Sequence, residues 1–286
     1  MHTQKQGVGR DMMTIVKVEY LSEQGVRNNE DTLLVDESRG LFAVFDGASA
    51  LVRFEGQAGK TGARIAAETA RNVFERNDAS LLEIALRANN AIESAHHKNG
   101  IDTSDPLSRF ACTVAAVQIS DGVASLIQSG DTLIITEDSN GDVTVPLGYI
   151  DGDLAIMKKW RSLADAGRNN IRALVDDDVR SLRRTANKTY GVLNGDPTVR
   201  HFLRTTELPL YNIASILIIS DGMFIPKEDP TVQEDWGEHL RLCKKSGLNG
   251  LLRYVRSLED TDPSLTRYPR YKIHDDATGI FIQFKY

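Results

Sequence analysis

Short apolar runs closed by turn residues set the pattern of this chain, and they predict strands at Ile15 to Leu21, Thr32 to Val35 and Leu41 to Phe45. Two helical stretches follow. In the first, Gly59 to Phe74, the positions Ile65, Ala66, Thr69, Ala70, Val73 and Phe74 form one apolar stripe at helical spacing. The second opens on the capping box Ser80-Leu81-Leu82-Glu83 and ends near Gly100. A three-strand meander is expected next, at Cys112 to Ile119, Val123 to Gln128 and Leu133 to Thr136, with turns at Asp121-Gly122 and Gly130. Between Asp138 and Leu210 the pattern loosens, apart from a helix over Asp176 to Thr185 whose acids lead and whose Arg183 and Arg184 trail, an order that suits the helix dipole and a solvated face. An apolar run at Ile213 to Ile219, helices over Gln233 to Lys244 and Leu248 to Leu258, and a strand at Thr278 to Phe284 complete the chain. Strands in runs and helices in pairs predict an α+β layered sandwich, read as one domain over residues 14–286 behind a loose leader at 1–13.

Composition narrows the function. With 34 basic against 40 acidic residues in 286, the formal charge of -6 disfavours a nucleic-acid binder and favours metal cations or basic partners. No segment carries the roughly 20 apolar residues that cross a bilayer, and the N-terminus lacks an apolar signal core, so a cytoplasmic protein off the membrane is expected. Cys112 and Cys243 are far apart without metal-ligand spacing and read as buried thiols. His96 and His97 point about 100° apart on a helix and read as surface residues.

Two of the apolar runs end identically. Leu41 to Phe45 stops at Asp46-Gly47, and Ile213 to Ile219 stops at Ser220-Asp221-Gly222. Asp121-Gly122 and Asp151-Gly152 sit in turn contexts, whereas Asp46 and Asp221 end strands that read as buried on both faces, where a carboxylate needs a partner or a cation. Arg27-Asn28-Asn29-Glu30-Asp31 precedes the second strand and His274-Asp275-Asp276 precedes the last. Strand ends that converge would gather carboxylates, hard oxygen ligands suited to magnesium or manganese, and two such ions can polarise a phosphoryl oxygen and activate water.

Arg27 to Asp31, Phe45-Asp46-Gly47, Ser129-Gly130-Asp131, Ser220-Asp221-Gly222 and Asp275-Asp276-Ala277-Thr278, in this order, resemble the metal-dependent serine/threonine protein phosphatases of type 2C, over about residues 14–285. The resemblance implies a four-layer α-β-β-α sandwich of two antiparallel sheets flanked by helical pairs, with a dinuclear Mn/Mg centre that activates a water against phosphoserine and phosphothreonine monoesters. It implies that Asp46 bridges both metals, that the Gly47 carbonyl binds one of them, and that Asp221 and Asp275 complete the other. Glu30 and Asp31 would act through waters, Asp131 would help hold a third metal, and Arg27 would meet the substrate phosphate, as its planar fork suits. A flap falls within 138–210. A phosphoprotein substrate, a cognate Ser/Thr kinase and a monomeric state belong to the same expectation. Four positions depart from the family pattern: Arg27 lies one residue closer to the acids, Ala48 replaces the general-acid His of the Asp-Gly-His variant, Asp276 replaces Asn, and Ile225 stands where many members have Asp, at a position that is not a metal ligand. Asp276 could tighten a metal site or face solvent, and a member that binds a phosphorylated partner or regulates a kinase without catalysis is the alternative reading.

Overall fold

The computed structural model describes residues 14–48, 51–52, 54–56 and 59–285; the leader expected at 1–13 lies outside them. Two five-stranded antiparallel sheets are stacked face to face. One has the order β1 (Thr14–Glu23), β10 (Ala277–Lys285), β9 (Ile213–Ile219), β6 (Leu133–Asp138), β7 (Val143–Thr144). The other runs β2 (Thr32–Asp36), β3 (Leu41–Gly47), β4 (Cys112–Ser120), β5 (Val123–Ser129), β8 (Arg204–Pro209).

The unbroken apolar runs follow from burial on both faces. Along β3, Phe42 and Val44 point between the sheets, while Leu41, Ala43 and Phe45 face helices α1 (Gly62–Arg76) and α2 (Leu81–Lys98). Along β9, Ile216 and Ile218 point between the sheets, and Leu217 and Ile219 face α6 (Trp236–Glu259). Each strand alternates, but both of its faces are apolar because both are covered. In α1 the buried stripe is Gly62, Ala63, Ala66, Ala67, Ala70 and Phe74, so small residues admit α1 close to the sheet, and Ile65 and Val73 pack at its margin. The capping box of α2 forms as expected, with Ser80 and Glu83 bonded reciprocally. The two helices expected after residue 233 are the arms of α6, which kinks at Gly247 (φ 71°).

Four expectations are corrected. The meander is a hairpin plus a crossover: β4 and β5 pair through the two left-handed residues Asp121 (φ 51°) and Gly122 (φ 77°), but β6 leaves at Gly130 for the other sheet and pairs with β9. The loose stretch contains β8 and three helices, α3 (Leu154–Asp165), α4 (Ile171–Leu174) and α5 (Asp176–Arg183), around a small core of Ile156, Trp160, Ile171, Val175 and Val179. His96 is buried, and its Nε2 accepts the Phe110 N–H at 2.7 Å; His97 is exposed as expected. Arg183 does not lie on a solvated face with its neighbours but turns inward, as described below.

Candidate metal centre

Antiparallel pairing brings the outgoing end of one strand beside the incoming end of the next, which is why acids scattered over 245 positions of sequence can share one rim. Asp31 precedes β2, whose Thr32 sits opposite Phe45, one residue before Asp46. Asp131 lies between β5 and β6. Asp221 follows Ile219, which is flanked by Leu133 on one side and Gly279 on the other, so the starts of β6 and β10, with Asp131 and Asp275, fall at the same end.

The carboxyls feel one another. Asp46 is pushed well above the usual carboxylate range, first by burial and then by Asp31, Asp131 and Asp275. Asp221 is exposed at the rim as a residue, while its carboxyl is pushed well up by desolvation and then by Asp46, Asp275 and Asp131. Burial raises Asp131 too. Asp31 is 2% exposed and strongly raised by burial, with Asp221, Asp276 and Asp275 adding to the shift, while a hydrogen bond from Ser220 Oγ at 2.7 Å opposes it. Burial first, and repulsion among neighbouring acids second, produce this pattern, and a divalent cation would relieve both. The donors are carboxylate and carbonyl oxygens, a set that fits Mg²⁺ or Mn²⁺. Among the described residues these side chains do not close into a ready-made cage of three or more metal-ligating groups.

The glycines of the two Asp-Gly pairs are required by close approach. A Cβ on Gly47 would stand 2.6 Å from the Glu30 carbonyl oxygen, and one on Gly222 would collide with the Asp276 carbonyl. Each strand end therefore rests directly on the backbone of another acid-bearing loop.

The loop of Glu30 and Asp31 is fastened from three sides. Asp276 neither faces solvent nor joins the recess; it is buried, and its Oδ1 and Oδ2 accept the backbone N–H groups of Gly25 and Glu30, both at 2.8 Å. Arg64 of α1 donates to the carbonyls of Asn29 and Asp31. Asn29 Oδ1 accepts the Asp31 N–H at 2.9 Å. Arg27 is exposed between the two anchored backbone groups of Gly25 and Glu30. Ala48 supplies no proton donor next to Gly47.

Three further residues join the recess; of these, sequence reasoning named only Arg183, and as part of a solvated helix face. Lys272 donates to Asp275 Oδ1 at 2.5 Å. Burial disfavours its charge, but Asp275, then Asp221 and Asp46, outweigh that and hold its pKa above the ordinary lysine value. Arg183 reaches in from α5; burial opposes its charge, and Tyr190, Asp153 and Asp131 more than compensate. Asp153, at the start of α3, is pushed up to about 6 by burial, against the pull of Arg183. A cleft lined by Ala48, Leu51, Arg109, Arg183, Tyr190 and Asn194 opens beside Gly47. Nothing local in the sequence marks Lys272 or Asp153, since their importance comes from loops that meet only in the folded chain.

The family model for protein phosphatase 2C matches residues 23–255. Among solved structures, the chain is similar to the serine/threonine phosphatase PstP/Ppp of Mycobacterium tuberculosis, with 18% identity, 96% of this chain and 100% of that one covered, and a TM-score of 0.56. The serine/threonine phosphatase Stp1 of Staphylococcus aureus aligns over 100% of both chains at 14% identity and a TM-score of 0.56. PppA, a key regulatory component of T6SS in Pseudomonas aeruginosa, aligns over 94% of this chain and 97% of its own at 18% identity and a TM-score of 0.55. At these identities the likeness establishes the fold. No curated protein matches the sequence. No helix among the described residues is long and apolar enough to cross a membrane.

Proposed function

The chain belongs to the protein phosphatase 2C family, and on that premise we propose that its acidic recess hydrolyses phosphoserine and phosphothreonine monoesters of proteins with the help of Mn²⁺ or Mg²⁺. One observation carries the reading. Asp46 and Asp221, at the ends of central strands in opposite sheets, share a recess with Asp31, Asp131 and Asp275, and burial and mutual repulsion raise Asp31, Asp46, Asp131 and Asp221. Among the described residues, these carboxyls outnumber the cations Lys272 and Arg183, an arrangement that a divalent ion would stabilise.

In this reading Asp46 would bridge two ions, the Gly47 carbonyl would bind one, and Asp221 and Asp275 would hold the other. Glu30 and Asp31 would act through waters, and Asp131 would serve a third ion. When bound, the ions supply Lewis acidity, which lowers the pKa of water and polarises a phosphoryl oxygen. The chain's own residues do the positioning. Ser220 orients the Asp31 carboxylate, and Asp276 and Arg64 hold the Glu30–Asp31 segment at fixed height above Gly47. Arg27, exposed at the rim, would meet the phosphate of an incoming substrate; the helical segment within 138–210 would act as a flap carrying Arg183 to the cleft beside Gly47.

The test is turnover of p-nitrophenyl phosphate and a phosphothreonine peptide with MnCl₂ or EDTA, using the wild type, Asp46→Ala and Asp221→Ala. Manganese-dependent turnover in the wild type and its loss in both variants are expected. A protein that binds Mn²⁺ yet turns over neither substrate would instead be a silent member that recognises a phosphorylated partner or regulates a kinase, a reading favoured by the ion pair that Lys272 makes with Asp275.

A further inference from the structure

Lys272 stands among residues that a phosphatase centre would use for metal. The loop that carries it, between α6 and β10, is fixed by Asp262, whose carboxylate accepts the N–H groups of Thr266, Arg267 and Tyr268 and pairs with Arg270 at 3.0 Å. Arg270 also donates to the carbonyls of Glu259 and Asp262, and Trp160 Nε1 donates to the Leu265 carbonyl at 2.6 Å. The adjacent Tyr271 packs edge-on against Trp160. The loop leading into Lys272 is thus held from both the helical segment and α6.

From that position the ammonium donates to Asp275 Oδ1, the same oxygen that accepts the Asp276 N–H at 2.8 Å. Its field extends to Asp221 and Asp46. Arg183, a second cation of the recess among the described residues, faces Asp131 and Asp153 instead. One half of the acidic recess therefore contains a covalently tethered positive charge. A divalent ion on Asp221 and Asp275 must share the Asp275 carboxylate with Lys272, which already holds Oδ1, and must do so beside a like charge at short range in a partly exposed site.

We propose that Lys272 is a resident competitor for the divalent ion at Asp275: it offsets part of the negative charge of that half of the recess and weakens metal binding at Asp221 and Asp275 selectively. This inference rests on the metal assignment proposed above. It makes occupancy of that half depend on the ambient concentration of divalent ion, while the Asp46–Gly47 half stays tighter.

The measurement is calorimetric titration of metal-stripped protein with MnCl₂, with bound Mn²⁺ counted by electron paramagnetic resonance. In Lys272→Met the weaker site tightens at least tenfold and the tighter one changes less than threefold; Lys272→Gln behaves the same way, and Lys272→Arg, which keeps the charge, stays within threefold of wild type at both. Unchanged or weaker binding in the neutral variants overturns the proposal, as does a tenfold tightening in Lys272→Arg, which can be read even if neither neutral variant folds without metal. Turnover is followed in parallel. A wild type that binds Mn²⁺ without turnover defeats the hydrolase reading and leaves this one intact. If the wild type binds no Mn²⁺, gain of binding in Lys272→Met upholds the competitor role, and its absence ends it.

Discussion

Replacing Asp276 by Asn should lower the stability of the metal-free protein by about 2 kcal/mol, although the change is nearly isosteric and removes a charge from an acid-rich region. The wild-type carboxylate accepts the backbone N–H groups of Gly25 and Glu30, one on each oxygen, both at 2.8 Å and away from water. An Asn side chain keeps one acceptor and turns an amide NH₂ toward the other N–H. The retained bond weakens from charged to neutral, and the orphaned donor costs about 1–3 kcal/mol. Against this, Asp276 helps push up the Asp31 carboxyl, and removing that repulsion returns about 1 kcal/mol. The hydrogen-bond loss wins because it acts at contact distance, while the repulsion is a minor contribution behind burial. Asp276→Ala orphans both donors and should cost about 3–4 kcal/mol. Urea unfolding in EDTA at pH 7 isolates the effect from metal binding. With a slope near 3 kcal/mol/M, the Asn variant's midpoint falls by about 0.7 M. A midpoint equal to or above that of the wild type would show that electrostatic relief dominates and that Asp276 is not a tether.

Gly222→Ala should lose about 3 kcal/mol, since its Cβ would meet the Asp276 carbonyl and one of the two backbones must retreat; a melting temperature within 2 °C of the wild type, on the order of a 1 kcal/mol change at most, would refute the close contact. Asp153 supplies a pH test: its folded pKa is about 6 against about 3.9 unfolded. The folded state then holds the proton more tightly, so this group favours folding below about pH 4 and that contribution is lost as the pH rises through about 6. Asp153→Asn removes the dependence, so stability of the variant minus that of the wild type should grow by up to about 3 kcal/mol between pH 4 and 7 in EDTA. A flat difference would place Asp153 in an ordinary solvated setting.

The apolar runs of β3 and β9 revealed their own nature, because a strand covered on both faces has no polar positions to break the run. The capping box of α2 and the Asp121-Gly122 hairpin were equally readable, since each depends on residues adjacent in sequence. Edge strand β8, Arg204–Pro209, was missed because one face is solvated and its sequence alternates polar residues that also suit a loop. Helix α3 buries only Ile156 and Trp160, too few to mark a period. His96 read as exposed because the Phe110 backbone that meets it lies fourteen residues away.

The sequence by itself determined which residue types stand at the ends of the central strands: Asp46, Asp221 and Asp275, and the glycines whose missing side chains let loops touch. Their identity and order sufficed to indicate the family because local turn chemistry and burial constrain each motif separately. Only the tertiary structure decided what each charge does. Asp276 became a tether rather than a ligand because Gly25 and Glu30 come to rest against it, and Lys272 became part of the recess because the loop fixed by Asp262 aims it at Asp275. Electrostatic roles depend on distances through space in a medium of uneven polarity, and those distances are set by packing between segments that the linear order keeps far apart.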